Sequence, residues 1–389
     1  MPDVLFDNAR FYPTADGEPS ADRFAVEEGV VVSVGEDTAA DRIVDLGGRA
    51  VLPGFVDCHT HLVWAGDRAG EFALRAAGSS YADIARAGGG ILSTVAAVRA
   101  ASEDELVALA LPRLAALAAE GVTTVEIKSG YGLDLDNEMK MLRAGRRLGE
   151  IQPVRIRTTF LGAHAVPPGR DRADYLDEVV GRMLPAVAEA GLADAVDVFV
   201  EDIAFGLDDM ERLFDAARAL GLKVRAHTGQ LSDDGATARA CALGAISCDH
   251  LEHADEAAVK AMAEHGTVAV LLPGAWYCLR ETVRPPVDLM RRHGVPMAVA
   301  SDANPGSSPV VSLLTAMHMA GIFFGLTPAE ILAGATRHAA AALGLPGGGR
   351  LAPGTPADFS VWELERPDLL AWQLGGLRPA AVYVGGTRI

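Results

Sequence analysis

The spacing of apolar positions divides the chain into three stretches. From Met1 to about Arg49 the apolar runs are short and punctuated by Gly and Asp: Val4-Leu-Phe, Phe24 to Glu28, Val30 to Val34 and Ile43-Val. Short runs of Val and Phe between turn residues predict strands, and Gly29 between two of them predicts a hairpin. From Gly54 to about Leu345, runs suited to buried strands alternate with longer Ala- and Leu-rich segments of helical period. Strands are expected at Gly54–Cys58, Thr123–Lys128, Arg155–Leu161, Ala195–Val200, Lys223–Ala226, Ala245–Asp249, Thr267–Leu272 and Pro296–Ala300. Glu103–Glu120 and Asp208–Leu220 are typical of the helices between them. A further helix is expected from the cap Thr327 to the Leu-Gly at 343–344, with Pro328 in its first turn. The last stretch returns to strand character at Phe359-Ser-Val-Trp and Ala381-Val-Tyr-Val.

Eight strand–helix units predict an α/β fold built on a (β/α)8 TIM-type barrel. Residues 53–349 are assigned to the barrel. Residues 1–52 and 350–389 are assigned to a small β domain that both chain ends build together. Ala50 to Val56 reads as one short buried strand leading into Gly54-Phe-Val-Asp-Cys-His-Thr-His61.

Composition narrows the function. The chain has 389 residues, half of them hydrophobic, and a formal charge of −18. That balance argues against a nucleic-acid partner, which requires a basic face, and against an anionic membrane. No apolar stretch reaches about 18 residues uninterrupted, and the first residues show no basic region followed by an apolar run. The cysteines, Cys58, Cys241, Cys248 and Cys278, form no Cys-x-x-Cys pair and read as small buried apolar groups in a reducing compartment. A soluble cytoplasmic protein is expected.

The chemistry is concentrated at the predicted strand ends. Strand alternation puts Asp57, His59 and His61 on one face, and two imidazoles two residues apart can reach one metal ion. Lys128 ends the second strand, His164 follows the third, Glu201 and Asp202 the fourth, His227 ends the fifth, His250 the sixth, and Asp302 follows the eighth. Active sites of such barrels lie at the carboxyl ends of the strands. His59, His61, His227 and Asp302 form a plausible metal set of the hydrolytic kind. Asp302 and His250 are the candidate proton-transfer groups.

Beyond these spacings the chain resembles the amidohydrolase superfamily, and within it the imidazolonepropionase family. The resemblance rests on Gly54-Phe-Val-Asp-Cys-His-Thr-His, His61-Leu-Val-Trp-Ala-Gly-Asp-Arg, Ser80-Tyr-Ala-Asp-Ile and Gly88-Gly-Gly-Ile. It continues through Glu126-Ile-Lys-Ser-Gly-Tyr-Gly-Leu, Leu161-Gly-Ala-His-Ala, Leu271-Leu-Pro-Gly-Ala-Trp-Tyr and Ser301-Asp-Ala-Asn-Pro-Gly-Ser-Ser-Pro. It implies a barrel with a split β-sandwich, one Zn2+ or Fe3+ ion per chain, a homodimer, and hydrolysis of 4-imidazolone-5-propanoate to N-formimidoyl-L-glutamate. It places metal ligands at His59, His61, His227 and Asp302, with His250 in the catalytic centre. It places substrate contacts at Arg68, Tyr81, Tyr131, His164, Gln230, Asn304, Gly306 and Ser307. The residue types agree with a substrate that carries a carboxylate: Arg68 offers a planar fork, Tyr81, Tyr131 and His164 further donors, and Asn304 an amide for the polar edge of the ring. Two features depart from relatives. Gln230 stands where some carry Glu, and the fourth strand lacks the lysine of two-metal members, which leaves Lys128 as a structural or supporting cation and favours one metal. The competing readings are an aminohydrolase of a neutral purine, pyrimidine or triazine ring, and an inactive scaffold. The first does not call for Arg68, and the second does not call for a full ligand set.

Overall fold

The computed structural model describes residues 1–12, 14, 21–78, 89–232 and 235–389. All eight expected barrel strands are present: Phe55–Asp57 (β7), Val122–Lys128 (β8), Arg155–Ala163 (β9), Ala195–Val198 (β10), Lys223–Thr228 (β11), Ser247–His250 (β12), Val268–Leu271 (β13) and Met297–Val299 (β14). Each pairs in parallel with the next, β7 through β14. The ring meets itself just past the strand ends, where Asp302 N donates to His59 O (3.0 Å) and His61 N donates to Ala303 O (3.0 Å). Closure therefore brings together the two segments that carry three of the expected metal ligands.

Both chain ends build the remaining sheets. One has four strands, Val4–Asp7 (β1), Phe24–Glu27 (β3), Val30–Val34 (β4) and Arg42–Asp45 (β5), in the order β4-β3-β1-β5. The other has five, Arg10–Phe11 (β2), Ala50–Pro53 (β6), Phe359–Trp362 (β15), Ala381–Val384 (β16) and Thr387–Arg388 (β17), in the order β17-β16-β15-β6-β2. Phe6, Phe24, Phe359 and Tyr383 interlock between them, with ring centroids 4.4 to 5.2 Å apart for the pairs in contact. The Gly29 hairpin forms as expected, with Glu28 and Gly29 both at positive φ, the backbone a two-residue turn between twisted strands demands.

Two expectations need correction. The segment from Ala50 to Val56 is not one strand. It breaks at Gly54, where a Cβ would collide with the Thr123 side chain, so β6 joins the terminal sheet and β7 opens the barrel. The helix after Thr327 is also interrupted, into Pro328–Gly334 and Arg337–Ala342. Its break has a structural cause. The Ala335 carbonyl accepts from Val56 N on β7 (2.8 Å), while Thr336 Oγ1 donates back to Leu332 O (2.6 Å). A helix that gives a carbonyl to a sheet cannot continue its own ladder there.

Candidate active site

The strand ends converge on a cavity of about 740 Å3, lined among others by His61, Arg68, Tyr131, His164, His227, Gln230, His250, Asp302, Asn304, Gly306 and Ser307. His59 lies buried against it. Its Nε2 is 3.5 Å from Asp302 Oδ1, and His61 Nε2 is 3.6 Å from the same oxygen. One ligand atom each from His59, His61 and His227 fall within 4.8 Å of one another. His59 Nε2, His227 Nε2 and Asp302 Oδ2 are buried without a hydrogen-bond partner among the described residues. Buried polar atoms are normally satisfied. Unsatisfied atoms on His59, His227 and Asp302, gathered around the three-histidine group, are what a bound ion would satisfy, so the residues fit a metal.

The rings are oriented from behind. His59 Nδ1 donates to Asp249 Oδ2 (2.7 Å) and His227 Nδ1 donates to Asp197 Oδ1 (3.1 Å), which leaves each Nε2 lone pair facing the cluster. Those two carboxylates belong to a fully buried ionic group. Lys128 Nζ lies 2.7 Å from Asp197 and 2.9 Å from Glu126, and Arg225 lies 3.0 Å from Glu126 and 3.1 Å from Asp249. Burial and the Arg225 charge oppose the Lys128 ammonium, but Asp197, Glu126 and Asp249 outweigh them and hold its pKa above the ordinary value. Burial, with the Lys128 charge second, holds His59 well below its ordinary pKa. Burial, with the His164 charge second, does the same to His61. Both imidazoles are therefore neutral, the form that binds metal. Burial pushes the Asp302 carboxyl well above the usual range.

The backbone is strained where these side chains leave it. His250 (φ 82°), Leu251 (φ 71°) and Asp302 (φ 51°) all adopt left-handed conformations that non-glycine residues avoid. His250 Nδ1 is buried and unpartnered among the described residues. His164 stacks on His61 at 5.1 Å, and its Nδ1 donates to Gly130 O (3.0 Å). Burial pushes its pKa down to about 3.

Four expected residues are placed differently from the sequence reading, or outside it. Asp57 does not join the histidines: its carboxylate accepts from Ser301 N (3.1 Å) and Oγ (2.5 Å). The Asn304 amide is spent on its own loop, donating to Asp302 O and Ser307 Oγ and accepting from Gly306 N and Ser307 N, so it has no donor left for a substrate ring. Glu201 accepts from Gln230 N, Leu231 N and Ser232 Oγ and thereby fixes the Gln230 loop. Tyr81 lies outside the described residues. The sequence reading missed Glu126, Asp197, Arg225 and Asp249. A signal existed for some: Glu126 and Lys128, or Arg225 and His227, are charged or polar alternate positions in strands buried on both faces.

The amidohydrolase family description matches residues 50–389. A protein of Mesorhizobium japonicum named imidazolonepropionase is 54% identical over 385 residues, covering 95% of this chain and 94% of that one. One of Ralstonia nicotianae with the same name is 60% identical over 349 residues, covering 89% and 85%. This chain belongs to the imidazolonepropionase family. Among solved structures, the imidazolonepropionase fold seen here superposes on 5-methylcytosine deaminase from Klebsiella pneumoniae with a TM-score of 0.74 at 19% identity, over 99% of this chain and 97% of that one. At that identity the likeness shows the fold alone. Membership makes this chain a metal-dependent hydrolase of a cyclic amide C–N bond.

Proposed function

We infer that this chain opens the ring lactam of 4-imidazolone-5-propanoate, giving N-formimidoyl-L-glutamate, a step of histidine degradation. One observation carries the reading: a single cavity joins His61, His227 and Asp302, with His59 buried 3.5 Å from Asp302, to the Arg68 guanidinium, which pairs with no carboxylate among the described residues. The reacting ring requires the first and the propanoate the second.

His59, His61, His227 and Asp302 would hold one ion, which we assign as Zn2+ or Fe3+ from the imidazole and carboxylate donors. When bound, the ion lowers the pKa of a water towards about 7 and polarises the ring carbonyl. Asp302 takes the proton of the attacking water and returns it to the leaving ring nitrogen. His250 hydrogen-bonds the carbonyl oxygen as charge develops on it. Gln230 has no titrating group and serves as a polar contact. Arg68, with Tyr131 and Tyr81, holds the propanoate, and Gly306 and Ser307 border the same end; His164, whose Nδ1–H is given to Gly130 O, meets the substrate with its Nε2 as an acceptor. A single ion is supported by Lys128. The other group of metal-capable atoms, on Asp197, His227 and Asp249, has the ammonium 2.7 Å from Asp197 and 3.7 Å from Asp249.

We extend three further features from the sequence. Residues 1–52 with 350–389, and 53–349, act as two domains, to be tested by limited proteolysis. The chain forms a homodimer, to be tested by sedimentation equilibrium. It works in the cytoplasm. No helix of the described residues is long and apolar enough to cross a membrane. The activity is tested by following the loss of imidazolone absorbance with purified protein while product and ammonia are assayed. Formation of N-formimidoyl-L-glutamate without ammonia supports the reading, and ammonia release from the ring contradicts it.

A further inference from the structure

We propose that Thr94 is the positioning residue for Arg68, and that it orients the guanidinium with a neutral acceptor so that the positive charge is kept for the substrate carboxylate. The inference rests on the reading of Arg68 as the carboxylate-binding group.

Thr94 lies one turn into the helix Ile91–Ala100 and is 3% exposed. Its Oγ1 accepts from Arg68 Nε (3.0 Å) and from Arg68 Nη2 (2.9 Å). A hydroxyl oxygen has two lone pairs, so these two bonds exhaust its acceptor capacity and fix one edge of the guanidinium plane. The other edge is set by Gly306. A Cβ there would overlap Arg68 Nη1 and Cζ, so the guanidinium lies directly against the bare backbone of the loop that Asn304 staples. Thr94 and Gly306 thus hold the fork from two sides. Arg68, Tyr131 and His164 line the same cavity.

The chemistry of the acceptor decides the assignment. This chain has 52 acidic residues against 34 basic ones, and most of its arginines with described partners pair with carboxylates, as Arg155 does with Asp358 and Arg291 with Glu330. A carboxylate at position 94 would fix the same edge but would also neutralise the fork before substrate arrived. A threonine fixes it and leaves the charge uncompensated. The helix that presents Thr94 is itself tied down, because Glu71 accepts from Gly90 N (2.9 Å) and Ser93 Oγ (3.1 Å) at its start.

The test compares Thr94→Val, Thr94→Ala, Thr94→Ser and Arg68→Met on imidazolonepropanoate and on its neutral analogue with a carboxamide in place of the propanoate carboxylate. Metal content is measured in each. Loss of the acceptor should raise KM for the propanoate about tenfold in Thr94→Val and Thr94→Ala, with kcat changed by less than about twofold. Thr94→Ser should restore KM, and none of the Thr94 variants should differ from wild type on the carboxamide. Thr94→Ala keeps the test available if valine disturbs the helix. Equal losses in Thr94→Ser and Thr94→Val, a loss that persists on the carboxamide, or wild-type KM in Thr94→Val and Thr94→Ala beside an impaired Arg68→Met, each overturn the positioning role. Wild-type behaviour of Arg68→Met itself marks a different failure, that of the carboxylate-binding reading on which the role depends.

Discussion

At the scale of single residues, Arg68 is the group by which the proposed substrate would be told from a neutral ring. The propanoate proposed as its partner is remote from the scissile bond, so the contact would supply binding energy that brings the ring to the proton-transfer groups. Arg68→Met should retain metal and fold yet lose about 2–5 kcal/mol of transition-state binding, read from kcat/KM. Arg68→Lys should recover only part, because a point charge does not reproduce the fork that Thr94 orients. Near-wild-type kcat/KM in Arg68→Met would remove the main physical ground for a carboxylate substrate. Gln230 offers a second residue-scale test. Its position is set by its backbone, through Glu201, and its side chain reaches the cavity. Gln230→Glu should therefore keep the loop and remain active while adding a titrating group beside the histidines, which alters the pH profile of kcat/KM. Loss of turnover at every pH would show that the amide is needed as a donor.

At the scale of elements, loops bearing site residues are held by buried carboxylates belonging to neighbouring segments. Glu138, fully buried on the helix Leu135–Ile151, accepts from Gly130 N (2.9 Å), Gly132 N (2.8 Å) and Leu133 N (2.8 Å), and so shapes the loop that carries Tyr131. Glu138→Gln turns one acceptor into a donor facing backbone N–H groups. It should cost about 1–3 kcal/mol in urea unfolding and raise KM. Unchanged stability would mean that the loop holds itself. The capping box of the helix Pro328–Gly334 gives a pH prediction. Its Glu330, bonded foremost to the Arg291 side chain and then to Thr327, has its carboxyl pKa lowered from 4.5 to about 2. A depressed folded pKa adds stability that is present above 4.5 and lost as pH falls towards 2. The pair is substantially exposed, so the contribution is below about 1 kcal/mol. Glu330→Gln should lose less stability than wild type between pH 5.5 and 3.5, and equal losses would refute the assignment. These elements also show what the sequence makes legible. Period and turn residues located all eight barrel strands, because most are short segments set off by a glycine from the helix before them, as at Gly121, Gly221, Gly244, Gly266 and Gly294. They did not reveal that Gly54 and Thr336 interrupt their elements, since both breaks answer to distant partners, Thr123 and Val56. Nor could spacing show that Asn304 is satisfied by its own loop, which is a matter of three-dimensional hydrogen bonding.

At the scale of the whole molecule, barrel closure and site assembly are one event. The bonds between His59 and Asp302 backbones and between His61 and Ala303 join the ends of the ring and set their side chains around one point. Beneath them three buried carboxylates, Glu126, Asp197 and Asp249, face two buried cations, Lys128 and Arg225. That group carries one net negative charge, which would complement a bound cation. Lys128 Nζ also lies 2.7 Å from Asp197 and 3.7 Å from Asp249, the carboxylates that with His227 form the other group able to hold an ion. Because a ligand of the folded state stabilises it, stripping the ion should lower Tm, and restoring it should raise Tm again. The same stripped protein provides the most direct test of the central claim, that one ion in this cluster supports ring opening of imidazolonepropanoate. Turnover is measured as Zn2+ or Fe3+ is added in known equivalents, with product and ammonia assayed throughout. No turnover is expected in the stripped protein, then a linear rise that breaks at one ion per chain, with N-formimidoyl-L-glutamate formed without ammonia. Full turnover without metal, or a break at two ions per chain, would contradict that claim.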